Sequence, residues 1–344
     1  MNNGKDRTAL VAGGAGFIGS NLCEALLAQG ATVICLDSYH TGRRDNLRHL
    51  AGEPRFDLVE ADVIDTLPPR INGGRVRFTH IFNLACVASP PLYQADPEHT
   101  MLTNVVGTRN LLRLAEATGA RFLLSSTSEV YGDPEVHPQQ ESYHGQVNCT
   151  GPRACYDEGK RAAETLTFDF ERHRRADVRV ARIFNTYGPR MRSDDGRIVT
   201  NAMTQALAGE DITIFGDGLQ TRSFCYVSDM IDGLLRLMDT EAPVGGPVNL
   251  GNPVELTVRD LVDEIVRLTG SRSRIVHMPL PQDDPRRRRP DIGRAKQLFG
   301  WEPHVPLDQG LAATLNWLKE ELEWSRSRGL ASPGDLRVVE VAAE

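Results

Sequence analysis

The sequence predicts an α/β fold, a doubly wound parallel sheet followed by a smaller C-terminal lobe. Three observations predict it. Short apolar runs alternate with helical patterns over roughly the first 190 residues, the βαβα rhythm of a parallel sheet covered on both faces. A glycine-rich turn joins the first apolar run to its helix. The rhythm then changes after Gly188-Pro189.

The elements follow in order. Residues 10–12 end a first strand, and residues 21–28 continue a helix that Gly30 terminates. Residues 32–36 form an unbroken apolar run, as a strand buried on both faces requires. Residues 56–60 and 81–85 read as further strands. From about 97 to 118 the spacing is helical, with Val105, Leu111, Leu112 and Leu114 on one apolar face. Residues 121–126 and 178–183 complete the strands, with a long helix over 154–174 between them. Beyond residue 189 come helices over 200–208, 229–238, 258–269 and 307–319, separated by short strands and by turns such as Phe215-Gly216-Asp217-Gly218. Residues 325–344 have little apolar periodicity and are expected to be partly disordered.

Composition narrows the function. The chain has 344 residues, 40% hydrophobic and 25% charged, enough for two domains and a sizeable core. Its net charge of −7 gives no general electrostatic basis for binding nucleic acid or a membrane surface. No apolar run is long enough to cross a bilayer, and the polar start lacks a signal core. The six cysteines form no C-x-x-C pair and stand at no zinc spacing, so a cytoplasmic protein without a structural metal is expected. His137, His144 and His173 have no partner set that suggests a triad or a metal.

The turn Gly13-Gly14-Ala15-Gly16-Phe17-Ile18-Gly19 sits between the first strand and its helix. A pyrophosphate must approach such a turn closely, and a β-carbon at Gly16 would obstruct it. The helix N-terminus then stabilises the anion, and Gly19 lets helix and strand pack together. This is the pattern of a Rossmann-like dinucleotide site. Asp37 ends the second strand 18 residues after Gly19, placed for the adenosine ribose hydroxyls, which favours NAD over NADP. Arg43 and Arg44 complicate that preference, since guanidinium groups could accept a 2′-phosphate. Asp62, beside Val63, either contacts adenine or serves as a turn residue. Phe17, Ile18, Thr41, Gly42, Val63, Leu84 and Ala85 complete the expected cofactor contacts.

Tyr156 and Lys160 stand four residues apart, on one face of the predicted helix. A phenol titrates near about 10, too high for a base at neutral pH, but neighbouring positive charge favours the phenolate. Tyr156 could then take a hydroxyl proton while hydride leaves the same carbon. Ser125-Ser126-Thr127-Ser128-Glu129 follows a strand, where hydroxyls can orient a substrate oxygen and a carboxylate can handle a second proton.

Together these residues resemble the extended short-chain dehydrogenase/reductase family over about residues 7–317. Within it they are most similar to the UDP-glucuronic acid decarboxylases, also called UDP-xylose synthases. The segments that carry the similarity are Ala88-Ser89-Pro90-Pro91-x-Tyr93, the run from Ser126 to Pro134, and Gly151-Pro152-Arg153-Ala154-Cys155-Tyr156-Asp157-Glu158-Gly159-Lys160-Arg161. Later come the run from Arg182 to Met191, Gln220-Thr221-Arg222-Ser223-Phe224, and Asp283-Asp284-Pro285 with Arg288-x-Pro290-Asp291.

The change of rhythm divides the chain into a dinucleotide domain over 1–188, joined by later segments crossing back, a lobe over 189–325 and a tail over 326–344; the resemblance makes the first NAD-binding and the second a nucleotide-sugar lobe. It implies that Thr127 contacts the sugar 4-oxygen, that Tyr156 is the base, and that Lys160 holds the nicotinamide ribose. Glu129 matches an acid of the decarboxylation step. Ser128, Asn185 and Arg222 match substrate-contacting positions, Arg222 suited to the diphosphate. Arg288 matches an arginine that binds carboxylate or supplies a proton. Dehydratases of the family carry Asp-Glu where this chain has Ser128-Glu129, which argues against dehydration. Asn83 replaces a histidine of relatives, and Val87 replaces a proline. A homodimer through the helices at 97–118 and 154–174 is also implied.

The expected reaction is conversion of UDP-glucuronate to UDP-xylose through oxidation at C4, loss of carbon dioxide and re-reduction. Two alternatives stay open: another epimerase or 4,6-dehydratase of the family, and a non-catalytic NAD-sensing protein on the same fold.

Overall fold

A computed structural model describes residues 7–327 except 195 and 242. Its first half runs β1 (Thr8–Ala12), α1 (Phe17–Ala28), β2 (Thr32–Asp37), β3 (Phe56–Glu60), α2 (Pro69–Asn72), β4 (His80–Asn83), α3 (Pro90–Ala95), α4 (Pro97–Leu102), α5 (Thr108–Thr118), β5 (Arg121–Thr127), α6 (Ala154–Arg172) and β6 (Val178–Ile183). The second half runs β7 (Thr186–Tyr187), α7 (Ile198–Ala208), β8 (Ile212–Phe215), β9 (Thr221–Ser223), β10 (Cys225–Tyr226), α8 (Val227–Asp239), β11 (Val248–Leu250), β12 (Glu255–Thr257), α9 (Val258–Thr269), β13 (Ile275–Met278), β14 (Arg287–Arg288), α10 (Gly293–Phe299) and α11 (Leu307–Ser327).

Seven strands form one parallel sheet in the order β11-β6-β5-β4-β1-β2-β3. The order reverses between β1 and β4, the switch point where such sheets open a crevice at the strand ends. The sheet is buried on both faces because its strands are apolar throughout: five of the six residues of β2 are buried. One face packs Leu22, Cys23 and Leu26 of α1 against Leu234 and Met238 of α8. The other packs Leu111 and Leu112 of α5 against Phe122, Val180 and Phe170. Each large apolar side chain fully removed from water contributes about 1.5–3 kcal/mol before the entropy cost of ordering it.

The strand β11 lies far along the chain yet pairs with β6, so the chain crosses back to the large sheet. A third core gathers Met203 of α7, Leu261 and Ile265 of α9, and Leu311 and Leu315 of α11. The lobe it forms is tied to the sheet domain through ion pairs as well as packing. Glu321 of α11 receives Arg43 at 2.6 Å and Arg48 at 3.2 Å.

Most boundaries fall within about two residues of the expectation, and the largest departures are these. The helix expected over 307–319 continues to Ser327, carrying a periodic face that Leu318 and Glu321 bury. Of the tail expected from residue 325, only residues 325–327 are described, and they are helical; the rest lies outside the described residues. The helical stretch from 97 to 118 is not uniform either: Thr103–Gly107 widens to a π-helical turn between α4 and α5. Among the described residues no helix is long and apolar enough to cross a membrane.

Candidate active site

The glycine turn closes over the switch point. Gly13 has φ +78°, and a β-carbon there would stand 2.7 Å from the Leu84 carbonyl carbon. At Gly19 a β-carbon would meet the Gly13 carbonyl oxygen at 2.1 Å, so only glycine lets α1 start this close to the turn. Gly16 differs: its β-carbon would touch only the Gly13 oxygen, at 3.2 Å, and would otherwise project into open space. That open space is the cradle a phosphate needs. Gly16 caps α1 without a side-chain bond, and the first turn carries no acidic residue. The first-turn N–H groups and the helix dipole therefore remain available to an anion. These residues fit a dinucleotide pyrophosphate.

Much of the expected cofactor set lines the same groove, whereas Phe17 and Ile18 open α1 and pack against the sheet core instead of lining it. Gly13, Gly16, Asp37, Thr41, Gly42, Asp62, Val63, Leu84 and Ala85 surround it, joined by Cys86, His40 and His99. Asp37 accepts from the Ala15 N–H and the Tyr39 N–H, both at 2.8 Å. Burial pushes its carboxyl above the ordinary range, and those two N–H groups pull it back. Arg43 is held by Glu321, and Arg44 pairs with Glu60 while lying 4.2 Å from the Tyr39 ring centroid. Both guanidinium groups that could have received a 2′-phosphate are thus bound to carboxylates. Asp37→Ala is expected to weaken NAD binding roughly 10- to 100-fold, the loss of charge-assisted hydrogen bonds, without a matching gain for NADP. Titration of both dinucleotides measures this, and a switch to NADP would refute the role given to Asp37.

Asp62 takes the turn role and faces the groove as well. Its Oδ1 accepts from the Ile64 N–H at 3.0 Å, and its Oδ2 stands 2.8 Å from His99 Nε2. Asn83 is buried; it donates to the Thr108 hydroxyl at 3.0 Å and accepts from the Ala85 N–H at 3.3 Å. It anchors the end of β4 to α5.

The catalytic candidates converge where β5 ends. Thr127 Oγ1 accepts from the Glu129 N–H at 3.2 Å, which caps a short 3-10 turn over Ser128–Tyr131. From α6, Tyr156 and Lys160 point into the same place, both buried. The Lys160 ammonium donates to the Ser125 carbonyl at 2.8 Å and lies 5.9 Å from the Tyr156 ring centroid. Burial pushes the Tyr156 phenol above its ordinary range, with Cys86 adding to the rise and the Thr127 hydrogen bond opposing it. Burial likewise pushes Lys160 down. A phenol raised in this way is protonated at neutral pH, and positive charge beside it favours its use as a base. The Tyr156 ring stacks on Tyr93, centroids 5.1 Å apart and planes 3° from parallel. Val87 joins Tyr93 and Tyr156 in one small buried apolar cluster.

The third group is a buried charge cluster. Glu129 Oε2 accepts from Arg153 at 2.7 Å and from Arg288 at 2.9 Å. Arg288 also donates to the Ser128 carbonyl at 2.6 Å. Burial alone would raise the Glu129 carboxyl, but Arg288 and Arg153 hold it down at about 2. Arg222 binds Asp284 at 2.8 Å, and Arg153 reaches the same carboxylate at 3.6 Å. Three guanidinium groups thus meet two carboxylates, and Nε of both Arg153 and Arg288 is buried without a hydrogen-bond partner among the described residues. The surplus of positive charge suits an anionic substrate. Asn185 is half-buried between β6 and β7, its carbonyl accepting from the Cys225 N–H at 2.9 Å.

Arg153, Tyr93, Asp157 and Asp284 carry no role in the sequence reading although each lies in a segment quoted for the resemblance. Asp157 is buried beside the cluster with Oδ1 unpartnered. Burial, then the Glu129 charge, raises its carboxyl to about 7. A folded acid with a raised pKa binds more protons than the unfolded chain, so it costs stability as pH climbs from about 4 towards 7. Asp157→Asn is expected to flatten the melting temperature against pH across that window. A parallel decline in variant and parent would show that Asp157 is not the group responsible.

Residues 9–251 match the NAD dependent epimerase/dehydratase family. The chain is 51% identical to UDP-glucuronic acid decarboxylase 1 of Danio rerio over 93% of this chain and 74% of that one. It is 52% identical to UDP-glucuronic acid decarboxylase 5 of Arabidopsis thaliana over 88% of this chain and 86% of that one. Among solved structures, the UDP-glucuronic acid 4-epimerase of Bacillus cereus in complex with UDP-glucuronic acid and NAD superposes with a TM-score of 0.82 and 26% identity. That alignment covers 91% of this chain and 99% of the epimerase.

Proposed function

Because the chain belongs to the NAD dependent epimerase/dehydratase family, we propose that it is a UDP-glucuronate decarboxylase that forms UDP-xylose. The observation that carries the reading is the meeting of Tyr156, Thr127 and Lys160 with the Glu129–Arg153–Arg288 cluster at the end of β5, beside a dinucleotide groove. Identity near one half to decarboxylases from a fish and a plant supports it.

The glycine turn would hold the pyrophosphate of NAD and Asp37 its adenosine ribose. When bound, NAD supplies a hydride acceptor at the sugar C4 and later the same hydride as a donor. Tyr156 takes the proton from the 4-hydroxyl, with Thr127 hydrogen-bonded to the same oxygen and Lys160 adding positive charge. A ketone at C4 stands β to the carboxylate on C5, so it accepts the electron pair released as carbon dioxide leaves. C5 then gains a proton from water, and Tyr156 returns to the 4-oxygen the proton it took as C4 is reduced. Glu129, held ionised between two guanidinium groups, is an acceptor in this cycle and orients water rather than donating a proton. Arg153 and Arg288 hold Glu129 and present the surplus positive charge to the substrate; Arg222, Ser128 and Asn185 face the remaining sugar and diphosphate.

The reading extends to a homodimer through the α4–α5 stretch and α6, and to the cytoplasm, in keeping with the thiols, all free among the described residues. Light scattering reports the first and fractionation the second. The function itself is tested by a substrate panel. UDP-glucuronate should be consumed with release of carbon dioxide, whereas UDP-glucose and UDP-galactose should not react. Turnover of UDP-galactose alone would make the chain an epimerase.

A further inference from the structure

Three side chains from two segments meet at the rim of the dinucleotide groove: His40 after β2, and Asp96 and His99 at the start of α4. One ligand atom from each lies within 4.8 Å of the others. The two imidazoles stack with centroids 4.4 Å apart and planes 14° from parallel. His99 is fixed from two sides. Its Nε2 stands 2.8 Å from Asp62 Oδ2, and its backbone N–H donates to Asp96 Oδ1 at 3.1 Å. Thr103 Oγ1 stands at the longer distance of 3.5 Å from Nδ1.

We propose that His40, Asp96 and His99 bind one divalent ion of the zinc class, and that the ion opposes dinucleotide binding. Two imidazoles and one carboxylate form a donor set suited to zinc. A ring held through one nitrogen by a carboxylate offers its other nitrogen to a metal, and Asp62 supplies that support. Tetrahedral ligands about 2.1 Å from zinc stand roughly 3.4 Å from one another, so the group must contract, and one imidazole must turn out of the near-parallel stack to aim its in-plane lone pair at the shared ion. His40 can supply that movement because it is exposed. The site was not visible as a spacing motif because its ligands lie 56 and 3 residues apart in the sequence.

Competition follows from position. His40 and His99 line the groove together with Thr41 and Asp62. An ion joining the two imidazoles draws His40 across the rim and fixes Asp62 on His99, where the adenosine end of a dinucleotide must enter. This second part rests on the NAD reading above; the metal site does not.

The test uses the full chain as purified, incubated with zinc chloride and passed through a desalting column. Metal is measured by atomic emission and retained dinucleotide by chromatography. The expected result is about one zinc per chain with loss of NAD, and background zinc in His40→Ala and in His99→Ala. Because His40 is exposed, its variant keeps the fold intact. Zinc retained equally by both variants, as binding at the exposed Cys149 would give, overturns the site, as does no retained zinc at all. Zinc retained with NAD content unchanged overturns the competition. A protein that purifies without NAD and binds none when supplied contradicts the NAD reading, while the zinc measurement still decides the site.

Discussion

Tyr156→Phe is expected to lower turnover of UDP-glucuronate by about 10²- to 10⁴-fold, the range for losing a positioned acid–base group, while UDP binding changes little. The substitution deletes the hydroxyl that meets Thr127 and leaves the ring that stacks on Tyr93. Folding should be unaffected for the same reason. Burial raises the phenol, so the step the variant loses is proton transfer to and from the 4-oxygen. Single-turnover kinetics with a parallel UDP titration separate the two effects. A Phe variant as active as the parent would remove Tyr156 from the chemistry.

Glu129→Ala is expected to damage both stability and activity. The carboxylate is the shared acceptor of Arg153 and Arg288, whose side chains are 9% and 1% exposed. Removing one partner of a buried ion pair costs about 3–5 kcal/mol, because the remaining charge is left uncompensated. Here two guanidinium groups lose their common partner. Glu129→Gln keeps an oxygen for one of them and should unfold less readily than the Ala variant, with turnover still lost because the negative charge is gone. Chemical denaturation reports the stability and product formation the rate. An Ala variant with parental stability would show that the cluster is not coupled through Glu129.

The fold and the heart of the site were legible in the sequence for identifiable reasons. The glycine turn dictates its own geometry, since Gly13 and Gly19 have no room for a β-carbon. The four-residue spacing of Tyr156 and Lys160 fixes their common helix face. Partnerships across the chain were less legible. The sequence offers Arg288 as a cation for a substrate carboxylate, but that its two terminal nitrogens meet Glu129 and the Ser128 carbonyl shows only in the fold. Arg153 and Asp284 were quoted only for resemblance, because residues 131 positions apart reveal no ion pair until the lobe folds back. Arg43 shows the same limit. Its competition with Asp37 over cofactor preference depends on Glu321, far along the chain on α11. The anchor of the Lys160 ammonium, the Ser125 carbonyl at 2.8 Å, likewise shows only in the fold.

The central claim is that oxidation at C4 is temporary and is undone before product leaves. Its most direct measurement is the product balance from UDP-glucuronate with enzyme-bound NAD and no added reductant. The account predicts equal amounts of carbon dioxide and UDP-xylose, with no reduced dinucleotide accumulating over many turnovers. Formation of UDP-galacturonate without carbon dioxide, or reduced dinucleotide rising in step with substrate loss, would contradict it.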